Sequence, residues 1–468
     1  MADILTVIED CRISPTPETV GERSLTLTFF DLLWLTFPPS HQLFMYELPH
    51  SKTHFIGSII PNLKNSLSIT LAHFFPFASN LIVFPNSRKP EIRHVEGDSV
   101  AFRVAECSLD FNDLVGNHPR ACDKFHPLVP RLGRATKVSN HVTIPLFSVQ
   151  VTLFPNSGIS IGVTSHHTLC DATTIFDFLK AWTAIARHGT DELFLASESL
   201  PFYDRVIKYP DSLDEIFMNA PGIESLHADC YQPTHLASNT NKVQAAFVFT
   251  RSHISRMKMW LLDQTPRVDF PTKTTLLASN KGFLTALQLH GKAISETMKN
   301  KAGLIKDAEK WIERRHVPVS TTGVAGSPKI KVYDIDFGWG KPAKYEFVST
   351  DYNGSISVNQ CKDSPEDLEI GLCLPAKQMD AFIEWKKFCC CLYVVVIAIV
   401  VAGSVVGVSV VGGGVIGVVD VGVGVGVGSG GGGVVVGVGV GVGVGGGGGA
   451  AAALITTIQR LTWNEQFT

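Results

Sequence analysis

Ser165-His166-His167-Thr168-Leu169-Cys170-Asp171-Ala172 stands between two stretches of different hydrophobic period. Before it, Ile159, Ile161 and Val163 alternate with smaller residues, as a strand requires. After it, Ile175, Phe176, Phe178, Leu179, Trp182 and Ile185 recur at the spacing of a helix face. The stretch therefore predicts an α/β fold with a histidine pair where a rigid strand hands over to a helix, a junction that holds polar side chains clear of the sheet. Asp171 stands where it would cap the helix that Ala172 begins.

With 468 residues, 45% hydrophobic and 18% charged, the chain suffices for two or three domains with substantial cores. A net charge of -3 supplies no basic field for nucleic acid or an acidic membrane, so an anionic ligand needs a local basic patch. The acidic N-terminal stretch lacks a basic region followed by an apolar one, which points to the cytosol. Seven of the 10 cysteines are scattered and Cys389, Cys390 and Cys391 form a run, so reduced thiols and no metal site are expected.

Upstream of the histidines, residues 25–37 read as a strand and a buried turn, and 56–71 as a helix that tolerates Pro61 only in its first turn. Short strands are expected at 81–84, 91–94 and 100–104, and a hairpin of 146–154 with 159–164 leads into the site. The helix after Asp171 should end near Gly189, closing a first domain at 1–189. Residues 190–241, rich in Pro, Ser, Asp and Asn, read as a crossover linker, and a second domain occupies 242–385. Within it, strands are expected at 242–250, 330–335 and 368–374, and helices at 252–262, 281–299, 306–315 and 375–385.

Beyond Lys387 the composition changes. Residues 388–411 are apolar enough to span a bilayer, but glycine accumulates through the run, and the Val-Gly alternation of 421–449 has too little side-chain volume for a packed core. The favoured reading of 386–468 is a non-native or disordered low-complexity tail, with no membrane partner.

The His-x-x-x-Asp spacing by itself is weak: a second copy, His94 to Asp98, lies in a polar turn. Context favours His167, and the competing reading is a structural histidine at a strand end. A second signal is Asp336-Phe337-Gly338-Trp339-Gly340, whose glycines suggest a tight loop. Together the two stretches resemble the paired signatures of the plant BAHD acyltransferases. The resemblance extends through Leu27-Thr28-Phe29-Phe30-Asp31, His73-Phe74-Phe75-Pro76-Phe77-Ala78 and Val324-Ala325-Gly326-Ser327-Pro328-Lys329, and covers about residues 5–385. Among branches it is most similar to the anthocyanin and phenolic glucoside malonyltransferases.

This resemblance implies a monomer of two chloramphenicol-acetyltransferase-like α/β domains with mixed sheets and a channel between them. It implies small-molecule substrates, no bound cofactor, and acyl-CoA, by branch malonyl-CoA, as co-substrate. His167 becomes the general base that takes the proton of an acceptor hydroxyl. An imidazole of ordinary pKa near 6.5 is poised for that task at cytosolic pH. Asp171 becomes a brace held by an arginine, and Asp336, Phe337, Gly338, Trp339 and Gly340 a structural loop away from the histidine. Ser327 and Lys329, with Arg314 and Arg315 nearby in sequence, suit CoA phosphates or a donor carboxylate, against the alternative of a solvated basic face.

Relatives carry a long stretch between the positions of Trp260 and Lys281, with an Asp-Cys-Arg-type motif and a Tyr-Phe-Gly-Asn-Cys motif; here only residues 261–280 stand there. The second domain is therefore expected to be incomplete and to lack the arginine for Asp171, with Arg267 the only nearby substitute. This break and the tail suggest a faulty gene model or an aberrant splice form. The alternatives to malonyl transfer are a hydroxycinnamoyl or acetyl donor on the same fold, or a non-catalytic truncated remnant.

Overall fold

A computed structural model describes residues 4–84, 89–138, 140–196, 200–203, 212–220, 241–264, 308–310, 324–351, 356–388, 422–429 and 434–441. The strands of the first half are β1 (Leu5–Ile13), β2 (Arg23–Thr26), β3 (Ser40–Glu47), β4 (Asn80–Val83), β5 (Glu91–His94), β6 (Val100–Cys107), β7 (Arg120–Ala121), β8 (Thr136–Val138), β9 (His141–Pro145), β10 (Phe147–Phe154) and β11 (Gly158–Ser165). Those that follow are β12 (Lys242–Phe249), β13 (Val324–Ala325), β14 (Lys344–Phe347), β15 (Ile356–Gln360), β16 (Leu368–Pro375), β17 (Gly422–Ser429) and β18 (Val434–Gly441). They form a six-stranded sheet in the order β1-β6-β10-β11-β3-β14, five-stranded sheets β13-β15-β16-β12-β7 and β2-β5-β4-β9-β8, and the pair β17-β18.

The six-stranded sheet is mixed, since β10 runs parallel to β6 and antiparallel to β11. It is covered on both faces, and alternation along β3 shows how. Phe44 and Tyr46 enter the main core, while Leu43 and Met45 enter a smaller core with Phe111, Phe125 and Leu128. Every residue of β10 and β11 is buried, so a one-residue slip would gain nothing from patterning; register is set by the tight turn at residues 155–157. The main core is roofed by the Ile60–His73 helix and the Ala172–His188 helix, joined where the buried Trp182 indole donates to Leu63 O (3.2 Å) and Ser66 Oγ (3.0 Å). Pro61 does lie in the first turn of its helix, where a missing amide costs nothing.

Two strands cross between the halves of the sequence. β7 adds to the second sheet beside β12, and β14 adds to the first sheet beside β3. On β14, Tyr345 packs on Phe44 (centroids 5.1 Å) and on Phe176 of the Ala172–His188 helix (6.0 Å). Its neighbours on the strand face the other way: Glu346 pairs with Arg120 at 2.8 Å and Lys344 with Glu369 at 2.9 Å. Lys344 also donates to Asn117 Oδ1 (2.7 Å), Gln244 donates to Glu346, and Tyr333 donates its hydroxyl to Glu369 (3.0 Å). All four charges are more than nine-tenths buried, so each depends on its partner.

One strand expectation is corrected. Residues 330–335 form local turns, with a 3-10 turn at Val332–Asp334, because Val332 N–H donates to Ile330 O (2.9 Å) and Asp334 N–H to Lys331 O (3.0 Å), leaving no ladder. In the tail, β17 and β18 pair antiparallel, as a two-residue Val-Gly period permits. The helices expected at 281–299 and 306–315, with Arg267, Arg314, Arg315 and the apolar run 389–411, lie outside the described residues, apart from the 3-10 turn Ala308–Lys310. No helix among the described residues is long and apolar enough to cross a membrane.

Replacing Glu346 with Leu leaves the Arg120 guanidinium buried without its carboxylate and should cost about 3–5 kcal/mol in urea unfolding. The double variant Arg120→Met/Glu346→Leu should recover most of that loss; equal damage in both would show that the pair is not the stabilising contact.

Candidate active site

β11 delivers the histidine pair as expected. The chain leaves the sheet at Ser165, His166 N–H donates to Leu146 O on the neighbouring segment (2.8 Å), and Leu169 N–H closes a turn on His166 O (3.0 Å). His166 points inward and is completely buried; its Nδ1 accepts from Thr168 N–H at 3.2 Å, which places the proton of the neutral ring on Nε2. His167 points the other way and is half-buried. Its ring stacks on Trp34 (centroids 5.0 Å, interplanar angle 21°) and meets the edge of Phe37 (5.8 Å). Among the described residues neither nitrogen of His167 is hydrogen-bonded, so both remain available to a ligand.

Trp34 and Phe37 are neighbours of this ring that the sequence placed only in the buried turn expected within 25–37. A Trp-x-x-Phe spacing in the turn before Pro38-Pro39 was the signal, but nothing local tells that its aromatic face meets a histidine 133 positions away. Their packing sets the electrostatics. Burial pulls His167 from 6.5 down to about 4, and burial followed by the neighbouring His167 pulls His166 to about 4 as well. His167 is thus neutral across the physiological range, rather than half-protonated as an unperturbed imidazole would be.

Asp171 caps the Ala172–His188 helix: its Oδ1 accepts from Thr174 N–H at 2.8 Å. Among the described residues no arginine pairs with it, so the brace here is the helix cap. Asp336, Phe337, Gly338, Trp339 and Gly340 form a closed loop in which Asp336 Oδ1 accepts from Gly338 N–H (2.8 Å) and Gly340 N–H (2.9 Å). Both glycines hold positive φ (93° and 88°), which side chains resist. Phe337 packs on Trp182 (5.0 Å), Trp339 on Tyr46 (5.3 Å), and Gly338 lies against the Arg187 stem. The loop therefore braces the far end of the helix, about 24 Å along its axis from the Asp171 cap. Ser327 and Lys329 lie in a turn where Ser327 Oγ accepts from Lys329 N–H (3.3 Å); the structure brings neither into contact with His167.

The two depressed histidines make stability depend on pH. Unfolded, each takes a proton near pH 6.5; folded, each resists until about pH 4. Between these values the unfolded chain binds more protons, so stability is lost as pH falls from 6.5 towards 4, by about 1.4 kcal/mol per pH unit for each ring. Urea unfolding at stepped pH should show this slope, and His167→Gln should reduce it; an unchanged slope in the variant would contradict the burial assigned to that ring.

A family model described as the transferase family matches residues 4–264 and 288–389. Malonyl-coenzyme A:anthocyanin 3-O-glucoside-6''-O-malonyltransferase of Dahlia pinnata is 44% identical over 444 residues, covering 81% of this chain and 96% of its own length. Phenolic glucoside malonyltransferase 1 of Nicotiana tabacum is 34% identical over 421 residues, covering 75% of this chain and 91% of its own. Among solved structures, F. graminearum TRI101 complexed with ethyl coenzyme A shares the fold with a TM-score of 0.50 at 12% identity, covering 78% of this chain and 98% of its own. The Dahlia alignment has more positions than the 81% of this chain that enters it, so that relative carries positions missing here. With more than half of its length matched and these motifs in place, the chain belongs to the transferase family of BAHD acyltransferases.

Proposed function

We propose that this protein transfers the malonyl group of malonyl-CoA to a sugar hydroxyl of a phenolic or flavonoid glucoside, with His167 as general base. The observation that carries the reading is the His167 ring itself: neutral, half-buried, and with both nitrogens free of hydrogen bonds among the described residues. The similar relatives from Dahlia and Nicotiana, both named as glucoside malonyltransferases, supply the donor and the acceptor class.

In this mechanism the acceptor hydroxyl donates a hydrogen bond to the free imidazole nitrogen. The ring takes the proton as the oxygen attacks the thioester carbonyl carbon. Collapse of the tetrahedral intermediate breaks the carbon–sulfur bond, and the imidazolium returns the proton to the departing CoA thiolate. Such base catalysis contributes about 10²–10⁴-fold. A base with a pKa of about 4 is a weak acceptor in the empty site, but it is never lost to protonation at neutral pH. Stacking on Trp34 fixes the ring plane, so the order needed for attack exists before substrate arrives. A thioester is already activated, and no step requires a metal or a resident cofactor. Ser327 and Lys329 are assigned to CoA phosphate contact, Asp171 and the Asp336 loop to support of the helix behind the base. The same reading takes the enzyme as a cytosolic monomer.

Purified protein should release CoA from malonyl-CoA only when an anthocyanidin 3-O-glucoside or a simple phenolic glucoside is present, and faster than from acetyl-CoA or coumaroyl-CoA. Faster release from coumaroyl-CoA would reassign the donor, and no release from any donor would identify a non-catalytic remnant.

A further inference from the structure

A second cluster of reactive side chains takes no part in acyl transfer. Cys122, Asp351 and Cys373 are all buried and bring two sulfurs and a carboxylate oxygen within 4.8 Å of one another. Cys122 Sγ and Cys373 Sγ are 3.1 Å apart, and Cys373 Sγ is 3.6 Å from Asp351 Oδ1. Three distant parts of the chain meet here: Cys122 directly follows β7, Asp351 ends the turn after β14, and Cys373 lies in β16. Behind the carboxylate, His126 Nε2 is 2.9 Å from Oδ2 and Lys242 Nζ is 3.1 Å from Oδ1.

A disulfide would use only the two sulfurs. A tetrahedral ion uses the whole group. With zinc–sulfur bonds of about 2.3 Å and zinc–oxygen bonds of about 2.0 Å, the sulfur–oxygen edge is about 3.5 Å and the sulfur–sulfur edge about 3.8 Å. The first matches the distance observed here, and the second requires the sulfurs to part by less than 1 Å.

Charge fits as well. Without an ion, the Asp351–Lys242 pair and two protonated thiols are neutral together. A zinc ion that displaces both thiol protons adds two positive charges and creates two thiolates, so the buried group stays neutral. We propose that Cys122, Cys373 and Asp351 bind one zinc ion, with His126 as the fourth donor once it releases the carboxylate. The ion would tie β7 and the turn after β14 to β16, at the seam where the two sheets exchange strands. Each zinc bound forms two zinc–sulfur bonds, breaks two S–H bonds and releases both protons to solvent.

The test is metal loading of the full chain, independent of any acyl transfer. Protein refolded with zinc and then desalted should retain about one ion per chain, and zinc uptake by metal-free protein should release about two protons. Cobalt(II) in its place should give a thiolate-to-metal charge-transfer band. Cys122→Ser and Cys373→Ser should lose the ion, while Cys361→Ser, at a separate half-buried thiol, should keep it. The cobalt spectrum of the unaltered chain decides the question even if a serine variant fails to fold. Its absence, failure to retain zinc, full retention in both variants, or recovery of a Cys122–Cys373 disulfide in place of metal would overturn the proposal.

Discussion

Four buried charges on and around one short strand hold the two halves of this protein together. β14 lies against β3 in the first sheet, yet Lys344 and Glu346 find their counter-charges at Glu369 and Arg120 in or beside the second. Charges at this depth are tolerated only when paired, so the register of β14 is fixed from both sides at once. The other face of the strand then matters for chemistry. Tyr345 is placed against Phe44 and Phe176, and Phe176 belongs to the helix whose capped start follows His167. The far end of the same helix is wedged by Phe337 against Trp182 and by Gly338 against Arg187. The histidine loop is therefore short and supported at both ends: by a fully buried strand before it and by a helix locked along its length after it.

Within that frame the two histidines divide opposite tasks. His166 faces inward and fixes the turn through its backbone and Nδ1, while His167 leaves both nitrogens open beneath Trp34 and Phe37. The aromatic cover that orients the ring also removes water from it, which lowers its basicity. Positioning and proton affinity thus work against each other in the empty site. An ordered imidazole that stays neutral near pH 7 is the arrangement that results, and its stability cost appears only in acid.

Much of the loop was legible locally. The change from a two-residue to a helical period around Ser165–Ala172, and an aspartate just before the helical run, are properties of consecutive residues, and strand, helix and cap all follow. What escaped the sequence is long-range. Lys344 and Glu346 find partners, Glu369 and Arg120, to which no local pattern points. Trp34 read as core because its partner is His167. The cysteines at 122 and 373 read as scattered because 251 positions separate them. The strand expected at 330–335 failed for the opposite reason: an apolar run satisfied its amides within itself before any partner strand could.

The assignment of His167 as the base is most directly tested by the pH dependence of kcat/KM for malonyl transfer, compared between the unaltered chain and His167→Ala. The account predicts an acid limb well below pH 6.5, close to the depressed value of about 4, and a loss of about 10²–10⁴-fold in the variant together with that limb. A variant that keeps both the rate and the acid limb would contradict it.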